Sequence, residues 1–170
     1  MGINIGGAAS LTSPSGTTLS LDGAAPWMKV DGNGILTRQQ IPYMRGELTG
    51  KGGAYNGGGG SLLVTAGVNI GNCWNNATGY FTCPVAGHYM ATVGNIAGRD
   101  YGYVYIQKNG AFFSYTHWYH ANSWHFVSLS SVVNCAAGDT IRWTLGNLSP
   151  ATNGFYGDGG HGMYSIALMA

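Results

Sequence analysis

The stretch GYFTCPVAGHYMATV, residues 79–93, decides the fold class of this chain. Aromatic and β-branched residues stand on both sides of a break between Pro84 and Gly87, and this pattern is typical of a strand, a corner and a second strand. No carboxylate pair or cluster of metal ligands accompanies the break. We therefore interpret the stretch as architecture, the corner between two strands of a β-structure.

The composition favours a soluble all-β domain. Charged residues make up 8% of the 170 residues, against about 25% in an average globular domain. Thirty glycines suit tight turns, and eleven tyrosines suit strands. The formal net charge of +1 predicts no nucleic-acid partner, and no stretch is long and apolar enough for membrane insertion. The start also lacks the pattern of a secretory signal, so we expect a chain that is either made and used in a cytosol or released by a route other than secretion.

The three cysteines are Cys73, Cys83 and Cys135, an odd number without a C-x-x-C pair. This spacing fits neither a disulfide framework nor a zinc site. We predict buried thiols in a reducing compartment. A Cys83–Cys135 disulfide remains the open alternative, because both residues lie at predicted strand ends.

Residues 1–34 are predicted to form an extended N-terminal arm, and residues 35–170 the folded domain. The arm is rich in turn residues, and its short apolar runs are too small to form a core of their own. Apolar side chains are costly to leave in water, so the arm is expected to become ordered on another protein. The predicted attachment residues are Leu19, Leu21, Trp27, Met28 and Val30.

The remainder of the chain predicts strand after short strand, with no amphipathic helix. Residues 35–48 are the first plausible strand region, and the glycine-rich residues 49–60 after it resemble a flexible loop. Asn109-Gly110 predicts a tight type I′ hairpin. Before it, Tyr101, Tyr103 and Tyr105 alternate with apolar residues or glycine, which predicts a strand covered on both faces. This succession is typical of a sandwich or jelly roll.

The last strand, MYSIALMA, carries apolar or small residues at both parities. A strand with one face in water should alternate between apolar and polar residues. We therefore expect both faces to be buried, one of them against a second subunit.

The order of these motifs resembles the globular head domain of complement C1q and its tumour-necrosis-factor-like relatives. The resemblance covers about residues 39–170 and implies an all-β, ten-stranded C1q/TNF-like jelly-roll sandwich that forms a homotrimer around its inner sheet. The matching residues are Phe81, Thr82, Pro84, Gly87, Tyr89, Lys108, Asn109, Gly110, Val132, Val133, Gly138 and Asp139. The trimer contacts that it implies are Tyr89, Tyr164, Ile166, Ala167 and Leu168.

The N-terminal stretch of residues 19–46 resembles the connector that precedes C1q-like tips in bacteriophage fibre proteins. This second resemblance implies a virion, assembled in the host cytoplasm, as the setting. The residues that fit the connector are Met28, Val30, Asp31, Gly34, Ile35, Thr37, Pro42 and Tyr43.

The segment YTHWYHANSWHF, residues 115–126, is predicted to form a loop and is the candidate ligand-binding region. Flat aromatic faces with polar edges suit sugar rings or protein surfaces, although the same residues suit a hairpin packed on its own sheet. Three histidines raise the alternative of a metal site, but no carboxylate or cysteine stands nearby, and neither a metal nor a cofactor is predicted. The candidate ligand-binding residues are Tyr115, His117, Trp118, Tyr119, His120, Trp124 and His125.

No catalytic residues are predicted, because the acidic residues are scattered and no nucleophile elbow occurs. The function predicted from the sequence is therefore a non-enzymatic, trimeric virion protein of a bacteriophage, either a head decoration or a short fibre. Its partners would be another virion protein, reached through the arm, and a host surface protein or glycan. The first alternative is a receptor- or glycan-binding tail-fibre tip, and the second is a C1q-like ligand domain unrelated to a virus.

Overall fold

The computed structural model describes residues 18–19, 28–30, 36–37, 41–48, 51–55, 62–98, 100–120, 124–149, 154–157 and 160–169. The chain divides into two compact units, residues 1–41 and residues 42–170. Every regular element among these described residues is a β-strand, which confirms the predicted all-β class. Within the same residues, no helix has the length and apolar character that crossing a membrane requires.

The first unit contains a small antiparallel sheet of three short strands. These are β1 (Thr18–Leu19), β2 (Met28–Val30) and β3 (Leu36–Thr37), and β2 pairs with both of the others. Leu19, Met28 and Val30 of the predicted attachment set therefore lie in strands, whereas Leu21 and Trp27 lie outside the described residues. Attachment through this segment stays a prediction.

The second unit forms two antiparallel sheets, which contain five and seven strands within the described residues. The strands are β4 (Tyr43–Glu47), β5 (Lys51–Tyr55), β6 (Thr65–Ile70), β7 (Trp74–Asn75), β8 (Tyr80–Thr82), β9 (Gly87–Ala97), β10 (Asp100–Lys108), β11 (Ala111–His120), β12 (His125–Cys135), β13 (Thr140–Ser149), β14 (Phe155–Gly157) and β15 (Gly162–Leu168). The five-stranded sheet has the order β11-β10-β13-β8-β7. The seven-stranded sheet follows the path β5-β14-β9-β15-β4-β6, and β12 pairs with β9 beside this path.

Strand β5 corrects the prediction of a flexible loop for residues 51–55, and the rest of the predicted loop at residues 49–60 lies outside the described residues. The backbone of β5 pairs with β14, as in the Phe155–Tyr55 pair. Backbone hydrogen bonding to a partner strand thus outweighs the low strand propensity of glycine here. Within the described residues the two sheets contain twelve strands, with β5 and β14 included.

The corner at residues 84–86 carries the chain from one sheet to the other, as the Pro-x-x-Gly pattern predicts. Strand β8 precedes it in the five-stranded sheet, and β9 follows it in the seven-stranded sheet. The Tyr89 hydroxyl donates a hydrogen bond of 2.8 Å to the carbonyl oxygen of Val85 in the corner. The Tyr89 ring packs edge-on against Phe81, with 5.7 Å between ring centroids. The corner is therefore held by a residue of the strand that it introduces.

The core lies between the two sheets and is rich in aromatic side chains. Trp143 of β13 packs against Tyr164 of β15 with ring centroids 5.6 Å apart, and Trp118 of β11 packs against Phe155 of β14 at the same distance. Burying a large apolar side chain contributes about 1.5–3 kcal/mol. These contacts join strands from opposite sheets and so hold the sandwich together.

The structure contains the predicted hairpin and the predicted buried thiols. Asn109 and Gly110 have φ angles of 50° and 81°, as a type I′ turn requires. Cys73, Cys83 and Cys135 are free and buried, which agrees with the expected buried thiols rather than with a Cys83–Cys135 disulfide.

Candidate functional site

Six aromatic side chains form three facing pairs on the outer surface of the five-stranded sheet. Alternate residues of a strand point to the same side, and the antiparallel register of β10 and β11 places the rings of one strand directly opposite those of the other. The pairs are Tyr101–Tyr119, Tyr103–His117 and Tyr105–Tyr115. We call these six residues the aromatic ladder.

Four rings of the aromatic ladder contact one another along and across the strands. Tyr103 and Tyr105 stack with centroids 5.9 Å apart and planes inclined by 10°. Across the strands, Tyr103 lies 5.5 Å from His117, and Tyr105 lies 5.9 Å from Tyr115. Phe112 extends the surface, with its ring centroid 4.5 Å from that of Tyr105. The result is a continuous aromatic surface from Phe112 to His117, and Tyr101 and Tyr119 stand beyond it in the same register.

Small residues of β13 allow the ladder to lie close to the sheet. Gly146 stands opposite Tyr103 in the β10–β13 register, and Thr144 stands opposite Tyr105. A Cβ atom at Gly146 would lie 2.8 Å from a ring carbon of Tyr105, closer than van der Waals contact permits. The position of the Tyr105 ring therefore depends on the absence of a side chain at Gly146.

The outer rings of the ladder are accessible to solvent and the inner ones are half-buried. Tyr119 is 73% exposed and Tyr115 is 60% exposed, whereas Tyr103 and Tyr105 have intermediate exposure. Burial raises the pKa of Tyr105, so its hydroxyl stays protonated at neutral pH. The surface thus offers aromatic faces edged with neutral hydroxyl groups.

The structure brings only part of the predicted ligand-binding set together. Tyr115, His117 and Tyr119 belong to the aromatic ladder. Trp118 points the other way and is 3% exposed in the core, so its assignment to a ligand site is wrong. The reason is the alternation of β11, which continues through a segment predicted to be a loop. The side chain of His120 lies outside the described residues.

Trp124 and His125, the other two predicted residues, lie at the start of β12. Trp124 is 43% exposed, and its ring packs edge-on against Tyr156 at 5.3 Å. Together with Ile96 and His161, these two aromatic side chains line a shallow pocket of about 300 Å³. His125 is half-buried. Among the described residues, no three His, Cys, Asp or Glu side chains come close enough to hold a metal ion.

The sequence analysis missed Tyr101, Tyr103 and Tyr105 as site residues, because it predicted cover on both faces of their strand. The buried face carries Val104 and Ile106, while the tyrosines lie on the outer face. The Asn-Gly turn alone would set Tyr105 opposite Ser114, by continuation of the Gln107–Phe112 pair. A register shift between Ile106 and Gln107 moves Tyr105 opposite Tyr115 instead, and no local signal in the sequence marks that shift.

The seven-stranded sheet carries a second exposed feature, an apolar row that crosses five strands on the face away from the core. Direct backbone pairing links each member to the next. We call this set the apolar row, and its members from β12 to β6 are Val132, Met90, Ala167, Tyr43 and Ile70. Val132 is 42% exposed and Ile70 is 41% exposed, so the row faces solvent in the single chain.

Only part of the predicted trimer contact set lies on this face. Ala167 belongs to the apolar row. Tyr89, Tyr164 and Ile166 are at most 1% exposed in the single chain, where they face the core, so their assignment to a subunit contact is corrected. Leu168 is half-buried and packs against the core. The last strand is thus buried on one face by its own chain, and its other face remains uncovered.

Two facing antiparallel sheets with these strand orders define a jelly-roll domain. The chain belongs to the C1q domain family, whose sequence pattern matches residues 64–163. Among solved structures, the globular domain of the zebrafish complement 1qA protein is similar to this chain, with a TM-score of 0.56 and 16% sequence identity. That similarity covers 76% of this chain and 98% of the zebrafish domain, and it concerns the fold alone. No curated protein sequence matches the chain.

Proposed function

We propose that this chain is a non-enzymatic, homotrimeric structural protein of a bacteriophage particle, either a head decoration or a short fibre. Its N-terminal residues 1–34 would attach it to another virion protein, and its C1q domain would form the trimer. The protein would be assembled in the host cytoplasm and reside in the virion.

The apolar row carries this proposal. Its side chains cover five strands without a charged group, and neighbouring members are directly paired in the sheet. The adjacent row contains the small polar residues Ser130, Thr92 and Ser165, of which Ser130 and Thr92 share a hydrogen bond of 3.0 Å, and it continues to the exposed Arg45 of β4. A flat apolar sheet face with small neighbours favours close approach of a second subunit. Copies of the same chain supply that cover symmetrically.

The proposal that the protein resides in a virion rests on the sequence of residues 19–46. Met28, Val30 and Asp31 fit the connector pattern of bacteriophage fibre proteins, and β2 contains the first two of them. Strands β1 and β3 are the outer strands of their three-stranded sheet, and an extended segment can attach to another protein by pairing with an exposed sheet edge. This supports a role for residues 1–34 in attachment.

The oligomeric state tests the trimer directly. The full chain should have the mass of a trimer in light scattering at micromolar concentration. Ala167→Asp should give folded monomers. The carboxylate would be buried without a partner in the assembled apolar row, whereas it would reach solvent in the single chain. Tyr119→Asp, on the other sheet, is the matched control and should remain trimeric. A monomeric wild-type chain, or a trimeric Ala167→Asp variant, would contradict the assignment of this face.

Attachment is tested by deleting residues 1–34. The shortened chain should remain a trimer but should fail to join the particle in an assembly reaction that incorporates the full chain. Incorporation of the shortened trimer would place attachment on the jelly roll instead.

The aromatic ladder favours a second function, binding of a host surface protein or glycan. Tyr115 and Tyr119 are highly exposed, and aromatic residues are enriched in recognition surfaces. The two functions are compatible, because the ladder and the apolar row lie on different sheets. Substituting ladder residues should then weaken host binding and leave incorporation into the particle unchanged.

A further inference from the structure

We propose that the aromatic ladder is a binding site for a neutral polysaccharide, whose sugar rings stack on the tyrosine rings along β10 and β11. This inference deepens the host-binding function proposed above and rests on it. It specifies both the residues that form the site and the chemical class of the ligand.

The first argument is the shape of the surface. Tyr103 and Tyr105 are nearly parallel, with planes inclined by 10°, and Tyr115 contacts both of them at centroid distances of 6.0 Å and 5.9 Å. A pyranose ring has an apolar face of C–H groups, which suits stacking on an aromatic face. Several rings in succession fit a ligand with repeated sugar units. The exposure of Tyr115 and Tyr119 makes this a surface for a polymer rather than an enclosed pocket for a small molecule.

The second argument is the distribution of polar groups. Five members of the ladder are tyrosines, and within the described part of the chain no hydrogen bond is made by the hydroxyls of Tyr103, Tyr105 or Tyr115. A sugar has hydroxyl groups around the rim of its ring. Tyrosine hydroxyls both donate and accept hydrogen bonds, so they can pair with those groups while the rings stack.

The third argument is charge. The ladder contains no lysine, arginine, aspartate or glutamate. Among the described residues of this sheet, Lys108 pairs with Asp139 at 2.9 Å, and the Arg142 Nε atom donates a hydrogen bond of 2.7 Å to Gln107. An acidic polysaccharide or a nucleic acid would place its charges on a surface where no lysine or arginine of the ladder could pair with them. The complementary ligand is therefore uncharged.

The experiment uses the full chain and a panel of neutral hexasaccharides of glucose, mannose, galactose and N-acetylglucosamine. A galacturonate hexasaccharide is the charged control, and binding is measured by calorimetry and by intrinsic fluorescence. At least one neutral sugar should bind, and the galacturonate should bind at least tenfold more weakly. Absence of binding by every neutral sugar, or preference for the charged one, would overturn the proposal.

Substitutions locate the site. Tyr115→Ala and Tyr119→Ala should each weaken binding about tenfold, which corresponds to about 1.4 kcal/mol. Gly146→Ala should weaken it as well without altering a ladder residue, because the added Cβ displaces the ring of Tyr105. Phe126→Ala removes an aromatic ring that is 53% exposed and lies outside the ladder, and this variant should bind as the wild type does. Loss of binding in Phe126→Ala but in none of the ladder variants would refute the site.

Each variant is first checked by thermal unfolding and by mass, so that loss of binding is separated from loss of fold. The ladder lies within one chain, and sugar binding therefore does not depend on the trimer. A chain that binds the sugar but is monomeric would contradict the trimeric structural function alone. A trimeric, particle-bound chain that binds no neutral sugar would contradict this inference alone.

Discussion

The Lys108 Nζ atom lies 2.9 Å from the Oδ2 atom of Asp139, and this ion pair ties the β10–β11 hairpin to the turn between β12 and β13. Asp139 Oδ1 also accepts a hydrogen bond of 2.8 Å from the side chain of Asn109, and Oδ2 accepts one of 2.8 Å from the Ala136 amide. The hydrogen bond from Asn109, together with those from Lys108 and Ala136, lowers the pKa of Asp139 to about 2.

Stability should depend on pH through Asp139. Its pKa in the folded chain is about 2, below the ordinary value of 3.8, so its stabilising contribution is complete above 3.8 and is lost as the pH falls towards 2. Asp139→Asn should therefore unfold at a lower temperature than the wild type at neutral pH. The difference should shrink as both proteins are acidified through this range. A difference that stays constant down to the lowest pH would contradict the role of the carboxylate.

The hairpin turn should tolerate glycine better than alanine at position 109. Asn109 has a φ angle of 50°, a conformation that costs alanine about 1–2 kcal/mol and glycine little. Both substitutions lose the hydrogen bond of 2.8 Å from the Thr140 amide to Asn109 Oδ1. Chemical denaturation should thus give a lower free energy of unfolding for Asn109→Ala than for Asn109→Gly. Equal values would show that backbone strain does not matter here.

Truncation to alanine should affect the free energy of unfolding far more at Trp118 than at its chain neighbour Tyr119. Trp118 is 3% exposed, and Trp118→Ala should lower the free energy of unfolding by about 3–5 kcal/mol. Tyr119 is 73% exposed, and Tyr119→Ala should change it by less than about 0.5 kcal/mol. Urea denaturation of the two variants measures both values. A stable Trp118→Ala variant would contradict the core position of this ring.

The three thiols should resist alkylation in the native chain. Burial raises the pKa values of Cys73, Cys83 and Cys135, which keeps each sulfur protonated and poorly nucleophilic at neutral pH. Mass spectrometry after iodoacetamide treatment should show an unmodified native chain and three modifications in denaturant. Only one modification in non-reducing denaturant would reveal a disulfide and contradict the free thiols.

Local patterns in the sequence were sufficient for the strand class, the corner and the hairpin. Pro84 and Gly87 interrupt a strand pattern whatever surrounds them, and Asn109-Gly110 adopts positive φ angles at low cost. The motif order also identified the jelly roll, which the family match and the strand topology bear out. These features depend on residues close together in the chain, so the sequence by itself determined them.

The tertiary structure alone decided which faces of the strands are exposed and which residues meet across them. Trp118 and Tyr119 are both large aromatic residues. Their rings lie on opposite faces because β11 continues into the segment that was predicted to be a loop, which buries Trp118 and exposes Tyr119. The apolar row joins Val132 to Ile70 through three intervening strands that are distant in the chain. A one-residue change of register would reverse the face of every side chain in a strand. Both surfaces therefore depend on long-range pairing, which no local pattern specifies.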